Sequence, residues 1–156
     1  MGENEYLAST SREVQGSLAR LLYERNGPEV LPLIATLFAE FGAVEGKKAR
    51  KKLGELGFVA ALKAFFRPAI DAKRAEIIEL SEDKLVLKGL TCAMGLRGAG
   101  REVCQAIMAL DKAIVSNLTG KEVKMDIKQT LADGDSYCLV EFIVAENSQK
   151  KRKEGD

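Results

Sequence analysis

The amino-acid sequence predicts an α+β fold, in which an N-terminal helical layer packs on a roughly four-stranded antiparallel sheet. Apolar residues recur every three or four positions through the first 66 residues, whereas apolar and polar residues alternate in paired segments after Ala75. The chain has 156 residues, the length of one domain. We assign residues 1–146 to that domain and expect residues 147–156, a charged tail, to be disordered.

Helix caps, glycines and prolines delimit four segments in the first half of the chain. The predicted segments are a helix capped by Thr10 or Ser11 and ending at Asn26-Gly27, a helix from Pro28 to Phe41 ended by Gly42, a basic segment from Gly46 to Leu56, and a helix from Phe58 to Phe66 stopped by Pro68.

The second half predicts two β-hairpins with a helix between them. The predicted elements are a hairpin of Glu76 to Leu80 with Leu85 to Lys88, a glycine-rich loop from Gly95 to Gly100, a helix from Arg101 to Leu118, and a hairpin of Val123 to Lys128 with Tyr137 to Val144 about Asp133-Gly134-Asp135.

Composition excludes several classes of function. The chain contains no histidine, so Ser-His or Cys-His catalysis and His-ligated metal or haem are excluded. A net charge of +1 provides no global attraction for nucleic acid or anionic membranes. The first residues lack signal-peptide features and the longest apolar stretch, Val30 to Ala39, is too short to span a bilayer. We therefore expect a cytoplasmic protein with three reduced cysteines and no membrane partner.

Cys104, Met108 and Asp111 lie at positions i, i+4 and i+7 of the predicted helix, so one face presents a thiol, a thioether and a carboxylate. Asp111 is unusual on a buried face unless a partner compensates it. One interpretation makes these residues part of a site. The other makes Cys104 core filling and lets Asp111 bind backbone amides or pair with an arginine such as Arg97.

The other two cysteines leave further alternatives open. Cys92 is a candidate reactive thiolate, because a nearby helix N-terminus and Arg97 or Arg101 would lower its pKa. Together with Cys138, Cys104 and Asp111 it would supply four zinc ligands, although no close Cys-x-x-Cys pair anchors such a site.

The loop before the helix contains Arg97, Gly98, Gly100 and Arg101. Its spacing matches neither a Walker loop nor a dinucleotide fingerprint. Exposed amides and two arginines can hold a carboxylate or phosphate, and a plain tight connection is the alternative. Two basic runs, residues 47–52 and 150–153, have no interleaved aromatic residues, so we do not expect a nucleic-acid partner.

Several motifs resemble those of the L-2-amino-thiazoline-4-carboxylic acid hydrolase-like proteins and the related vinyl-4-reductase small-molecule-binding domains. They are residues 21–27, residues 41–46, Cys92, Asp111 and, most specifically, residues 130–138. The resemblance implies a helical layer on an antiparallel sheet that encloses an apolar pocket. It also implies a fold similar to the haem-nitric-oxide and Golgi-transport ligand-binding domains.

The chain departs from those families at informative positions. Hydrolase-like members tend to have Cys-Pro where this chain has Cys92-Ala93. Zinc-binding sensors of the vinyl-4-reductase type have cysteines that match Cys104 and Cys138, but their other two ligands fall near Ile127 and Thr130. We therefore predict neither a bound metal nor a cofactor.

The resemblance implies a stand-alone, sensor-like small-molecule-binding domain whose apolar pocket takes a ligand with an acidic group. The predicted ligand-binding residues are Arg97, Gly98, Gly100, Arg101 and Met108. The alternatives are a hydrolase of a small cyclic amidine, with Cys92 or Cys104 as nucleophile and Asp111 as general base or orienter, and a protein-interaction module. We expect a homodimer formed through the N-terminal helices.

Overall fold

The structure is a computed structural model that describes residues 8–53 and 55–146; the predicted disordered tail lies outside the described residues. It confirms the α+β prediction. In chain order the elements are α1 (Ser11–Asn26), a 3-10 turn (Gly27–Val30), α2 (Leu31–Leu53), α3 (Phe58–Asp71), β1 (Ala75–Ser81), β2 (Lys84–Gly89), α4 (Arg101–Ile107), α5 (Ala109–Thr119), β3 (Val123–Gln129), a 3-10 turn (Leu131–Asp133) and β4 (Cys138–Val144).

Helix α2 is longer than the sequence predicts. It passes through Gly42 and Gly46 and includes most of the predicted separate basic segment. Both glycines are contact points with α5, since a Cβ on Gly42 would lie 2.3 Å from the carbonyl oxygen of Leu110 and one on Gly46 2.8 Å from that of Ile114. Gly42 therefore allows two helices to approach closely, and the prediction that it ends the helix is wrong.

Helix α3 also continues beyond its predicted end. Pro68 lies inside the helix, which runs on to Asp71. The fixed φ of proline is helical, and the loss of one N–H near the end of a helix removes only one backbone bond. The chain leaves the helix at Lys73, whose φ of 57° places it in the left-handed region.

The predicted helix from Arg101 to Leu118 is two helices, α4 and α5, which meet at Met108. The break is slight, because the N–H of Met108 donates to the carbonyl of Cys104 at 2.8 Å and that of Lys112 to the carbonyl of Met108 at 3.1 Å. Residues 104, 108 and 111 consequently still face one side, as the helical spacing predicts.

The four strands form one antiparallel sheet of order β1-β2-β4-β3. Each predicted hairpin is present, and the two hairpins join through β2 and β4, where Leu85 is opposite Phe142 and Gly89 is opposite Cys138. Bulges interrupt β1 between Ile77 and Glu79 and β3 between Ile127 and Gln129. The core lies between this sheet and the helices, with Phe142, Leu62 and Leu85 fully buried in it.

Candidate functional site

A cavity of about 310 Å³ lies between the sheet and helices α4 and α5. The rest of its wall comes from the four strands, the loop after β2, the end of α3 and Arg12 of α1. The apolar part of the lining includes Leu87, Leu96, Ile107, Ile114, Val140 and Phe142. A partly enclosed, mainly apolar space of this size is typical of a binding site for a small organic molecule.

All three cysteines line this cavity. The hydroxyl of Thr130 links two of them, since it donates to the sulfur of Cys104 at 3.2 Å and lies 4.0 Å from the sulfur of Cys138. The third, Cys92, is on the loop after β2. The structure thus brings together thiols that are far apart in sequence.

The three thiols have different surroundings. Cys104 is buried, and burial raises the pKa of its thiol to about 11, an effect that the hydrogen bond from Thr130 only partly offsets. Cys92 and Cys138 are half-buried. Each accepts a backbone N–H at 3.4 Å, Cys92 from Leu96 and Cys138 from Leu131. Cys104 consequently forms little thiolate near neutral pH.

Asp111 also lines the cavity, at the first turn of α5. Burial raises the pKa of its carboxyl to about 6, and its own backbone N–H and the positive charge of Arg12 only partly oppose this. The cation that acts on Asp111 is therefore Arg12 of α1 and not Arg97, the partner that the sequence suggests. A carboxyl group whose pKa is close to neutral is suited to binding or transferring a proton.

Gln129, at the bulge of β3, contributes an unsatisfied polar atom to the same lining. Among the described residues its buried Oε1 accepts no hydrogen bond. Leaving a buried acceptor without a donor costs about 1–3 kcal/mol, so a donor from a water or another bound molecule would be favourable here.

Four of the predicted ligand-binding residues do not line the cavity. The N–H groups of Gly98 and Gly100 donate to the carbonyls of Leu131 and Ala132, and so are not free to bind an anion. Arg97 is exposed to solvent. Gly98 and Gly100 therefore fasten the glycine loop to the turn before β4.

Arg101 is likewise committed to structural contacts. Its backbone N–H and Nε donate to the carboxylate of Asp133 at 3.1 and 3.0 Å, and its terminal nitrogens donate to the carbonyls of Ile127 and Lys128. Met108 is the one predicted ligand-binding residue that lines the cavity. The cations on the lining are Arg12, Arg74 and Lys88.

The described part of the chain contains no group of three or more Cys, Asp or Glu side chains arranged to hold a metal ion. The alternative in which Cys92, Cys104, Cys138 and Asp111 ligate zinc therefore lacks the required geometry here, although all four line one cavity.

The sequence does not indicate Gln129 as a site residue, and it indicates Thr130 only as part of a family motif and as a position near a zinc ligand of related sensors. Both belong to or adjoin the motif of residues 130–138, but a Gln and a Thr beside a strand carry no distinct chemical signal. Arg12 was missed as well, because only the tertiary packing of α1 brings it to the cavity. Site residues that only tertiary packing brings together can be identified only from the folded structure.

The fold and the cavity define a class: an α+β domain whose helices and open antiparallel sheet enclose a pocket of small-molecule size. The family model for L-2-amino-thiazoline-4-carboxylic acid hydrolase matches residues 8–142. The chain belongs to this family.

A similar solved structure is the phenol-responsive sensory domain of the transcription activator PoxR, crystallised with phenol. It superposes with a TM-score of 0.67 at 11% sequence identity, over 94% of this chain and 82% of that one. At this identity the similarity establishes a shared fold. No curated protein matches the sequence.

Proposed function

We propose that this chain binds a small, mainly apolar molecule in the cavity between the sheet and α4–α5. The main evidence is the size of the cavity, because its volume of about 310 Å³ is about twice that of an engineered 150 Å³ apolar cavity that binds benzene. A substituted monocyclic ring therefore fits it. The shared fold with a domain that responds to phenol supports the same class of ligand.

The test is direct titration of the full chain with toluene and phenol by calorimetry. Ile114→Phe, which places a ring in the cavity, should weaken binding of both compounds at least about tenfold because it fills the ligand's space. Ile78→Phe is the matched control, since Ile78 is exposed on β1 and does not line the cavity. Equal affinity of the two variants, or no binding by the wild-type chain, would contradict the proposal.

We also propose that the ligand carries an acidic group, which other residues bind than those the sequence predicts. Arg12 and Arg74 line the cavity and are exposed, so they lie at its rim. Lys88 also lines it and stacks on the ring of Tyr137 at 4.5 Å. A carboxylate at the rim would face these cations instead of Arg97 and Arg101.

Hydrolysis of a small cyclic amidine is the second candidate function. The name of the family and the presence of Cys92 and Asp111 on one cavity favour it. Cys92 is the better candidate nucleophile, because burial raises the pKa of the Cys104 thiol to about 11. Incubation with 2-amino-thiazoline-4-carboxylate should then yield carbamoyl-cysteine, and Cys92→Ser should abolish that product. Absence of the product with the wild-type chain would reject the hydrolase.

Association with a second copy of the chain is also proposed, through α1 and α2. These helices expose large apolar side chains at spacings of three and four residues, namely Val14, Leu18, Leu21, Leu33, Leu37, Phe41 and Val44. An apolar stripe of this extent usually marks an interaction surface. We propose that this stripe forms the interface of a homodimer. The cytoplasmic location and the absence of nucleic-acid partners stay predictions.

The same helical stretch, Ser11–Leu53, is long and apolar enough, by length and composition only, to cross a membrane. Only 11% of its most apolar segment is buried, so burial in the core does not account for this apolar character. Here the face with Gly42 and Gly46 packs on α5, so only the opposite face is available to any partner.

A further inference from the structure

An unpaired acceptor and a desolvated carboxyl group belong to the same, otherwise mainly apolar cavity. Gln129 Oε1 is buried and accepts no hydrogen bond among the described residues. The carboxyl group of Asp111 is desolvated, and its own backbone N–H donates to it. Both residues line the cavity, one from β3 and the other from α5.

Acceptors of this kind are matched by a ligand that brings hydrogen-bond donors. Buried polar groups in native proteins are nearly always paired. N–H or O–H groups of a ligand would therefore form favourable hydrogen bonds with the unpaired oxygen and the desolvated carboxyl of this cavity. A ligand carboxylate would instead be repelled by Asp111 and would leave Gln129 Oε1 unpaired. Arg12 and Arg74 offer it a better place at the rim.

We propose that the ligand carries a hydrogen-bond-donating group, an amino, amidino or hydroxyl group on an apolar ring, which binds Asp111 and Gln129 inside the cavity. This inference rests on the proposed small-molecule binding and names the polar group that the ligand must have. Gln129 and Asp111 are then residues that determine specificity, while the apolar walls supply most of the contact area.

Aniline and toluene test the proposal, because the two molecules have nearly the same shape and differ in whether an amino or a methyl group is attached to the ring. Dissociation constants are measured by calorimetry with the full chain near neutral pH. We expect aniline to bind the wild-type chain at least about tenfold more tightly than toluene, since only aniline can pair the two acceptors.

Variants assign the preference to the two side chains. Gln129→Met and Asp111→Leu each replace an acceptor by an apolar group of similar size. Each should lower the ratio of the two affinities at least about threefold. Toluene affinity should be retained in both, which shows that the cavity is still formed. Glu76→Gln is the control, because it removes an exposed carboxylate away from the cavity and should leave the ratio unchanged.

The possible outcomes separate this inference from the proposed function. If toluene binds as tightly as aniline, the donor requirement is wrong while small-molecule binding survives. If the wild-type chain prefers aniline and neither Gln129→Met nor Asp111→Leu lowers that preference, these residues do not determine it and the inference is wrong. If neither compound binds the wild-type chain, the proposed function fails and the inference fails with it.

Discussion

The hydroxyl of Thr130 donates a hydrogen bond to the sulfur of Cys104 across 3.2 Å, joining the turn before β4 to helix α4. The same oxygen accepts the backbone N–H of Ala132 at 3.1 Å. Thr130 is 1% exposed, so these bonds have no competition from water. One buried hydroxyl therefore holds both the turn and the wall of the cavity in place.

Replacing Thr130 by valine should destabilise the protein by about 1–3 kcal/mol, because the buried N–H of Ala132 loses its acceptor. Urea unfolding followed by circular dichroism measures the change. Thr36→Val is the matched control, since Thr36 is exposed and its hydroxyl bonds only a carbonyl of its own helix. A loss of stability no larger than that of the control would show that Thr130 is not a structural link.

The three thiols should differ in their reactivity in the native protein. Cys104 is buried and burial raises the pKa of its thiol to about 11, so little thiolate forms near neutral pH. Cys92 and Cys138 are half-buried and should react with a disulfide reagent first. Mass spectrometry of partially labelled protein gives the order, with the Cys104→Ala variant as the control. Labelling of Cys104 before the other two would contradict this prediction.

Asp111→Asn should stabilise the protein near neutral pH. The folded state raises the pKa of this carboxyl from 3.8 to about 6, so the folded state binds the proton more tightly than the unfolded state does. The contribution of Asp111 to stability is therefore most favourable below about pH 4 and is lost as the pH rises through about 6, by at most about 3 kcal/mol.

Urea unfolding of the wild type and Asp111→Asn over this pH range checks the sign. The stability difference between the two should be small near pH 4 and should reach about 1–3 kcal/mol in favour of the variant near neutral pH. Glu76→Gln is the control, because Glu76 is an exposed carboxylate outside the cavity. A variant less stable than the wild type near neutral pH would refute the destabilising role of the buried charge.

Gly42→Ala should loosen the contact between α2 and α5. The added methyl group would lie 2.3 Å from the carbonyl oxygen of Leu110, a backbone atom that cannot move aside without shifting the helix. We expect a loss of about 1–3 kcal/mol in the free energy of unfolding. At Gly57 a Cβ meets nothing within 4 Å, so Gly57→Ala should cost less than about 1 kcal/mol. Equal costs for both variants would contradict the close packing.

Periodicity predicted the order and type of the elements well, because alternation in the strands and helical spacing reflect one buried face each. It failed at Gly42 and Pro68, which read as helix ends. Local propensity cannot show that Gly42 lies against another helix, nor that the helix tolerates Pro68 within its last turn. In both places tertiary packing outweighs the local preference.

The site could be predicted in part for the same reason. Spacing along one helix placed Cys104, Met108 and Asp111 on a common face, and all three line the cavity. The role of the glycine loop could not be predicted, because a sequence rich in glycine and arginine does not show that Arg101 is already bonded to Asp133. Gln129 lies at a bulge of β3, and register shifts of this kind are not encoded in a simple alternation.

The apolar stripe on α2 should mediate dimerisation. Leu37 and Phe41 are 57% and 50% exposed and lie one turn apart, so two glutamates there would place charges in any interface formed by this face. We expect the wild type to be a dimer by light scattering at high micromolar concentration and the double variant Leu37→Glu, Phe41→Glu to be a monomer with unchanged circular dichroism. Ile78→Glu, an exposed apolar position on β1, should remain dimeric. A monomeric wild type, or a dimer that survives the double substitution, would exclude this stripe as a homodimer interface.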